Sequence, residues 1–311
     1  MILTVTINSA LDRIFFIEEW TPGLPIRIEG MVTGVGGKGL DAAVSLSCQG
    51  IAAAGLTFVA GAVGRELVEL LHNYGVKVIP IWVNGETRVA HVIAEQVHRR
   101  HTHLIAGQMS ITPEHLELFF TRLAQELPSV SWMVGGGSLP KNVDSSSIAR
   151  TVELANAAGV PSLIDTSAVP IEPIMRARPS ILKINEVEFA TAFDVQIPSP
   201  EALLWEGRRV MNEYDLDNLV VSCGEKGLYA LTVEGVFHAQ APRQIAVNGA
   251  GAGDAIAGTL PYRLSQGDSW VGALRYATAV AAATVLTEAT AECRVADVER
   301  ILPRVIVTRL S

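Results

Sequence analysis

The densest chemistry lies in Asn248-Gly249-Ala250-Gly251-Ala252-Gly253-Asp254-Ala255, which runs straight into an apolar helical pattern. Consecutive small residues at a helix start leave several peptide N–H groups without an intrahelical acceptor, and the positive end of the helix dipole adds to them. Gly251, Ala252 and Gly253 are therefore expected to cradle an anion. Asp254, in the first helical turn, is placed to accept the proton of a hydroxyl while those amides hold a transferring phosphoryl group. Read alone, the string also fits a glycine-rich turn whose aspartate only caps the helix.

Other candidates surround it in the chain. Asp12 follows the first apolar run, where a carboxylate can accept hydrogen bonds from two ligand hydroxyls. The alternative is a solvated loop aspartate. Gly36 and Gly37 let backbone amides approach a ligand closely, and Lys38 adds a flexible point charge suited to phosphate. Arg88 can offer a bidentate fork to a second phosphate, or can be a surface arginine on an edge strand. Asn185 and Glu188 stand at i and i+3 after a buried run, so on a first helical turn they face the same way. An asparagine cap explains the same spacing.

These residues need a scaffold, and short β-branched runs alternate with helical patterns for most of the chain. Runs at 2–7, 56–59, 76–81, 132–134, 161–164, 181–183 and 219–222 read as parallel strands with both faces buried. Helices are expected near 39–49, 66–74, 112–126, 145–158 and 201–214, and a helical block fills 251–287, interrupted near 266–269, before a short helix near 295–302. Such a βαβ series predicts an α/β fold: a doubly wound, mostly parallel sheet with helices on both faces and ligands outside the C-terminal strand edges. Residues 13–32 alternate without a helix, and 88–95 with 103–106 read as a hairpin around 96–102. Together they predict a small β-lid, about 13–32 and 88–106, on a single domain spanning 1–311.

Composition narrows the classes. With 49% hydrophobic and 18% charged residues over 311 positions, the chain can bury a large core, which excludes wholesale disorder. A net charge of −8 supplies no long-range field for a polyanion, so nucleic acid is not an expected partner. Cys48, Cys223 and Cys293 are odd in number and lack Cys-x-x-Cys spacing, which argues against a disulfide framework or a zinc ribbon. The start of the chain lacks a basic signal-peptide region, and its most membrane-like run, 277–286, falls short of the roughly 18 apolar residues a spanning helix needs. The expected setting is cytoplasmic, with no membrane partner.

The 248–255 segment resembles the Gly-Ala-Gly-Asp signature of the ribokinase-like (PfkB) carbohydrate kinases. Thr6-Ile7-Asn8-Ser9-Ala10-Leu11-Asp12 looks like the opening strand and sugar-binding aspartate of the hexose-phosphate branch, Gly36-Gly37-Lys38-Gly39 like its substrate turn, and Thr87-Arg88 like its lid arginine. Gly137-Ser138-Leu139-Pro140, Asp165-Thr166-Ser167, Lys183-Ile184-Asn185-Glu186-Val187-Glu188 and Val221-Ser222-Cys223-Gly224-Glu225-Lys226-Gly227 are similar to later landmarks, in order and over essentially the whole chain. The resemblance implies transfer of the γ-phosphoryl group of ATP to a hydroxyl of a ketohexose phosphate of the fructose 1-phosphate or tagatose 6-phosphate type. It implies Asp254 as base, with Gly251, Ala252 and Gly253 as the anion hole. Asp12, Gly36, Gly37, Lys38, Asp41 and Arg88 would hold the sugar. Lys183, Asn185, Ser222, Gly224 and Gly227 would face the nucleotide, with 277–286 walling the adenine. Asn185 and Glu188 would support Mg2+ through water, and lids would pair two subunits into a homodimer.

Rival patterns fit less well. Gly34-Val35-Gly36-Gly37-Lys38-Gly39 satisfies the dinucleotide fingerprint, but the acidic residue due about 20 positions later is replaced by Val59-Ala60-Gly61. A Walker loop needs Ser or Thr where Gly39 stands. His91, His98, His101 and His103 read as a polar hairpin before they read as a metal site. Four positions depart from the family pattern: Asp41 and Ala90 each replace an asparagine, Gly249 a Thr or Ser, and Ile184 a proline. Asp41 lacks an amide donor and would repel a nearby phosphate. A kinase of an uncharged sugar or nucleoside, and a non-catalytic sugar-phosphate-binding homologue, therefore stay open.

Overall fold

In the computed structural model, residues 1–311 are described except Glu29, Gln96, Arg99, Ala168 and Ser311, and except the side chains of Arg100, His101 and His103. Its large sheet has ten strands, in spatial order Ile306–Arg309, Gly235–Gln240, Leu228–Thr232, Leu219–Ser222, Ile181–Asn185, Ser162–Asp165, Trp132–Gly136, Ile2–Thr6, Ala53–Val59 and Lys77–Trp82. The seven from Leu219–Ser222 onward are parallel to one another. All residues of Ile2–Thr6 and Ala53–Val59 are buried, which is why these runs are continuously apolar instead of alternating. The chain starts at Ile2–Thr6, builds outward to Lys77–Trp82, then returns to build the other side from Trp132–Gly136. That reversal creates a switch point, and Asp165, Asn185 and Ser222 end their strands along the same C-terminal edge.

Three strands of the large sheet were not expected from the sequence. Leu228–Thr232, Gly235–Gln240 and Ile306–Arg309 extend the sheet antiparallel. The hairpin turns through Val233 and Glu234, which carry none of the Asn-Gly or Gly-X chemistry that marks such turns. Ile306–Arg309 is a largely exposed edge strand after the last helix, so burial leaves little pattern in it.

A separate four-stranded sheet runs Met31–Gly36, Ala10–Ile17, Arg88–Glu95, Arg100–Ala106, with only the central pair parallel. Ala10 stands opposite both Arg88 and Gly36, and Asp12 opposite Ala90. The sheet thus reaches past 13–32 at both ends and carries Asp12 and Gly36 within its own strands. The returning strand starts at Arg100 rather than 103. Of the expected lid, Glu29, Gln96 and Arg99 lie outside the described residues. Of the histidine cluster, the side chains of His101 and His103 do too. His91 stacks on Phe15, and His98 pairs with Glu19 at 3.3 Å. Among the described residues no group of three His, Cys, Asp or Glu side chains is arranged to hold a metal, and no helix is long and apolar enough to cross a membrane.

Two helices bring the candidate chemistry together. Lys38–Cys48 and Ala252–Ser265 pack directly on each other, and a Cβ at Gly258 would come within 2.8 Å of the Ala42 carbonyl. Only hydrogen fits there. Asp254 lies one turn before Gly258 and Asp41 next to Ala42, so this close approach sets two carboxylates near each other. The helical block divides as expected, into Ala252–Ser265 and Trp270–Thr284, with Val295–Ile301 after it.

Candidate active site

Neither of the two helix starts facing the site has a side-chain cap. The helices starting at Pro113, Glu186, Pro200 and Trp270 are capped by Thr112, Asn185, Ser199 and Ser269 instead. At Ala252 the first-turn amides therefore stay available to an outside acceptor. The turn is held open from behind. Gly251 has φ 84° and sits so tightly against Ala291 that a Cβ would overlap the Ala291 backbone. Asn248 accepts from the Ala250 amide at 3.0 Å and donates to the Glu288 carbonyl at 2.9 Å, which fixes the approach.

In front of this turn lies a cavity of about 550 Å³, whose lining includes Ala252, Gly253, Asp254, Lys38, Lys183, Asn185, Glu188, Ser222, Gly224 and Gly227. One wall comes from Thr278, Ala281, Ala282 and Val285, within the stretch expected to face an adenine. Its charges are already partnered. Asp165, at the end of its strand, accepts from Lys38 at 2.7 Å and from Lys183 at 2.5 Å. Lys38 also donates to Glu188 at 2.9 Å. Asn185 and Glu188 form a reciprocal cap: the Asn185 side chain accepts from the Glu188 amide at 2.8 Å and the Glu188 carboxylate from the Asn185 amide at 3.1 Å. Burial disfavours the charges of Asp165 and Lys38, but the lysines outweigh it and hold Asp165 below the usual carboxylate range, while Asp165, Asp254 and Glu188 raise Lys38. A Cβ at Gly253 would lie 2.9 Å from the Lys183 ammonium, so that cation sits directly beneath the amide cradle.

Asp12, Gly36, Gly37, Asp41 and Arg88 form the other end. Asp12 accepts from the Thr290 hydroxyl at 2.7 Å, and its carboxylate leaves no room for a side chain at Gly36. Gly37 precedes the helix that bears Asp41. Arg88 donates to the Asn8 carbonyl at 3.1 Å. Here the polar groups are incompletely paired: Asp41 Oδ1 and Arg88 Nε are buried with no hydrogen-bond partner among the described residues. Burial pushes Asp12 up to about 6, against the pull of Thr290 and Arg88. Burial, then the charges of Asp254 and Asp12, push Asp41 well above the ordinary range. Asp254 is felt at both ends. Burial and then Asp165 raise it to about 6, against Lys183 and Lys38.

The sequence-derived candidates therefore divide into two groups that meet at Asp254. Lys38, expected with the sugar, has its ammonium on the cavity side, in ion pairs with Asp165 and Glu188. Two site residues were missed. Asp165 was only a landmark, although its place at a strand's C-terminal end is the signal that would have found it. Thr290 lies 278 residues from Asp12 and carries no local signal.

A doubly wound sheet with an uncapped helix start, a carboxylate in its first turn and lysines beneath it defines a phosphotransferase with an alcohol acceptor. The model of the pfkB family of carbohydrate kinases matches residues 1–297, and the chain belongs to that family. It is 26% identical to a 1-phosphofructokinase of Bacillus subtilis, over 100% of both chains. It is also 26% identical to an ATP-dependent 6-phosphofructokinase isozyme 2 of Mycobacterium tuberculosis, over 96% of this chain and 88% of that one. A solved structure described as a possible 1-phosphofructokinase from Thermotoga maritima superposes with a TM-score of 0.89, covering 100% of this chain and 99% of that one at 24% identity. Family membership implies ATP as phosphoryl donor.

Proposed function

We propose that the chain phosphorylates a free hydroxyl of a ketohexose phosphate of the fructose 1-phosphate or tagatose 6-phosphate type. The observation that carries this is the position of Asp254: the first turn of an uncapped helix, between a cavity edged by lysines and a carboxylate–guanidinium cluster. Names of relatives acting on phosphorylated fructose support it. In this reading Asp254 accepts the proton of the acceptor hydroxyl as its oxygen bonds to the γ-phosphorus, and the bond from that phosphorus to the ADP oxygen breaks. The amides of Gly251, Ala252 and Gly253 hold the transferring oxygens, with Lys183 beneath them. Asp12 and Asp41 receive sugar hydroxyls, Gly36 and Gly37 bring the backbone close, and Arg88 faces the existing phosphate. Ser222, Gly224 and Gly227 border the nucleotide.

Asn185 and Glu188 suit a hydrated Mg2+, because Glu188 opens onto the cavity and its carboxylate, already bonded once at each oxygen, keeps lone pairs for metal-bound water. The ion would supply neutralisation of the triphosphate. The lid bears exposed Leu24, Ile26, Ile28, Leu104 and Ile105 beside an apolar hollow of about 430 Å³, which supports pairing of two lids in a homodimer. Sedimentation giving a monomer would dismiss that pairing.

The test is ADP release with ATP and Mg2+ across fructose 1-phosphate, tagatose 6-phosphate, fructose 6-phosphate and their unphosphorylated sugars. Turnover on a phosphorylated ketose supports the reading. A second reading, an uncharged acceptor, draws on the commitment of Lys38 to Asp165 and Glu188 and on the buried carboxyl of Asp41. Faster turnover on free sugars would select it, and tight binding without turnover would point to a sensor.

A further inference from the structure

The sugar end holds Asp12 and Asp41, which share one guanidinium, Arg88, and Asp41 also feels the charge of Asp254. Asp12 and Asp41 are 8% and 5% exposed. Two carboxylates this buried with one guanidinium between them, and the Asp254 charge acting on Asp41 as well, favour a proton held within the cluster. Its location follows from the partners. Asp12 accepts from Thr290 and faces Arg88, and Asp254 faces Lys183 and Lys38. Asp41 has the Gly37 amide and a share of Arg88, while its Oδ1 has no hydrogen-bond partner among the described residues. Tyr74 also feels the charge of Asp41, and its hydroxyl is already engaged by Glu292. The start of the helix Lys38–Cys48 favours an anion, but that one dipole opposes both desolvation and two carboxylates.

We propose that Asp41 is a neutral carboxylic acid in the resting enzyme and selects its acceptor by donating its O–H to a sugar oxygen. A neutral Asp41 offers a donor and an acceptor together, and it does not repel a phosphate held by Arg88. The direction of its titration, well above an ordinary aspartate, agrees. The inference rests on the kinase reading for the acceptor's identity, but the protonation itself does not.

Two measurements separate them. Infrared difference spectra of the intact free protein should show the carbonyl stretch of a buried carboxylic acid near neutral pH, absent in Asp41→Asn. A spectrum unchanged by that substitution overturns the proposal whatever the protein catalyses. In turnover, KM for the acceptor should rise about tenfold per pH unit once Asp41 ionises, well above the ordinary carboxylate range, while kcat follows Asp254 instead. Asp41→Asn should abolish the alkaline rise in KM, and Asp41→Ala should raise KM at every pH. An alkaline rise that persists in Asp41→Asn also overturns it.

Discussion

Asp165 and Asp41 are both buried aspartates, yet they sit in opposite electrical surroundings. Asp165 is clamped between two ammonium groups and is held ionised. Asp41 faces two other carboxylates with an unpaired oxygen. Around Asp165 the lysines are thus paired before any ligand arrives, Lys183 with Asp165 and Lys38 with Asp165 and Glu188. Around Asp41 a donor on Arg88 and an oxygen on Asp41 have no partner among the described residues, and leaving such groups buried costs free energy that a hydroxylated ligand can recover. One end is built to hold charge in place, and the other to respond to what enters it.

The sharpest way to break that contrast is at the group both ends share. Asp254→Asn should lower kcat by about 10²–10⁴, the usual contribution of a general base, with the far-ultraviolet spectrum unchanged. Because a carboxyl raised in the folded state costs stability once pH exceeds its folded value of about 6, this variant should melt no lower than the parent at alkaline pH. The next effect falls on the paired end. Asp165→Ala strands Lys183, itself 3% exposed, and should cost about 3–5 kcal/mol in chemical denaturation. Asp41→Asn, the matched change at the other end, should stay within about 1 kcal/mol of the parent, because an amide replaces a group of the same shape that already carries a proton. Equal losses in the two variants would erase the contrast.

A smaller effect comes from pH. Below about 6, protonation of Asp254 removes the base, so kcat should fall about tenfold per unit. Asp12 titrates in the same range, so kcat/KM should fall more steeply than kcat. Smallest of all, Thr290→Val removes one hydrogen bond to Asp12 and should raise KM for the acceptor about tenfold, the equivalent of a single bond to a charged group, with kcat little altered. A drop confined to kcat would instead assign Thr290 to the anion cradle through its neighbour Ala291.

The parallel core was legible because strands buried on both faces must be apolar throughout, and the Gly251–Asp254 turn because its chemistry is contiguous. The antiparallel extension was not, since Val233-Glu234 carries no turn signal and an exposed edge strand has no burial to pattern it. Spacing alone brought Asn185 and Glu188 together, and of its two readings the structure shows the asparagine cap. It gave no hint that Lys38 would turn toward Asp165 and Glu188, residues 127 and 150 positions away.

By itself the sequence determined the parallel strands, the main helices between them and the Gly251–Asp254 turn, because helix, strand and turn preferences act over a few neighbours. Only the tertiary structure decided the electrical state of each site group. Charges interact through space, and the close packing at Gly258, the clasp of Asp165 and the burial of Asp41 each join segments that no local pattern connects.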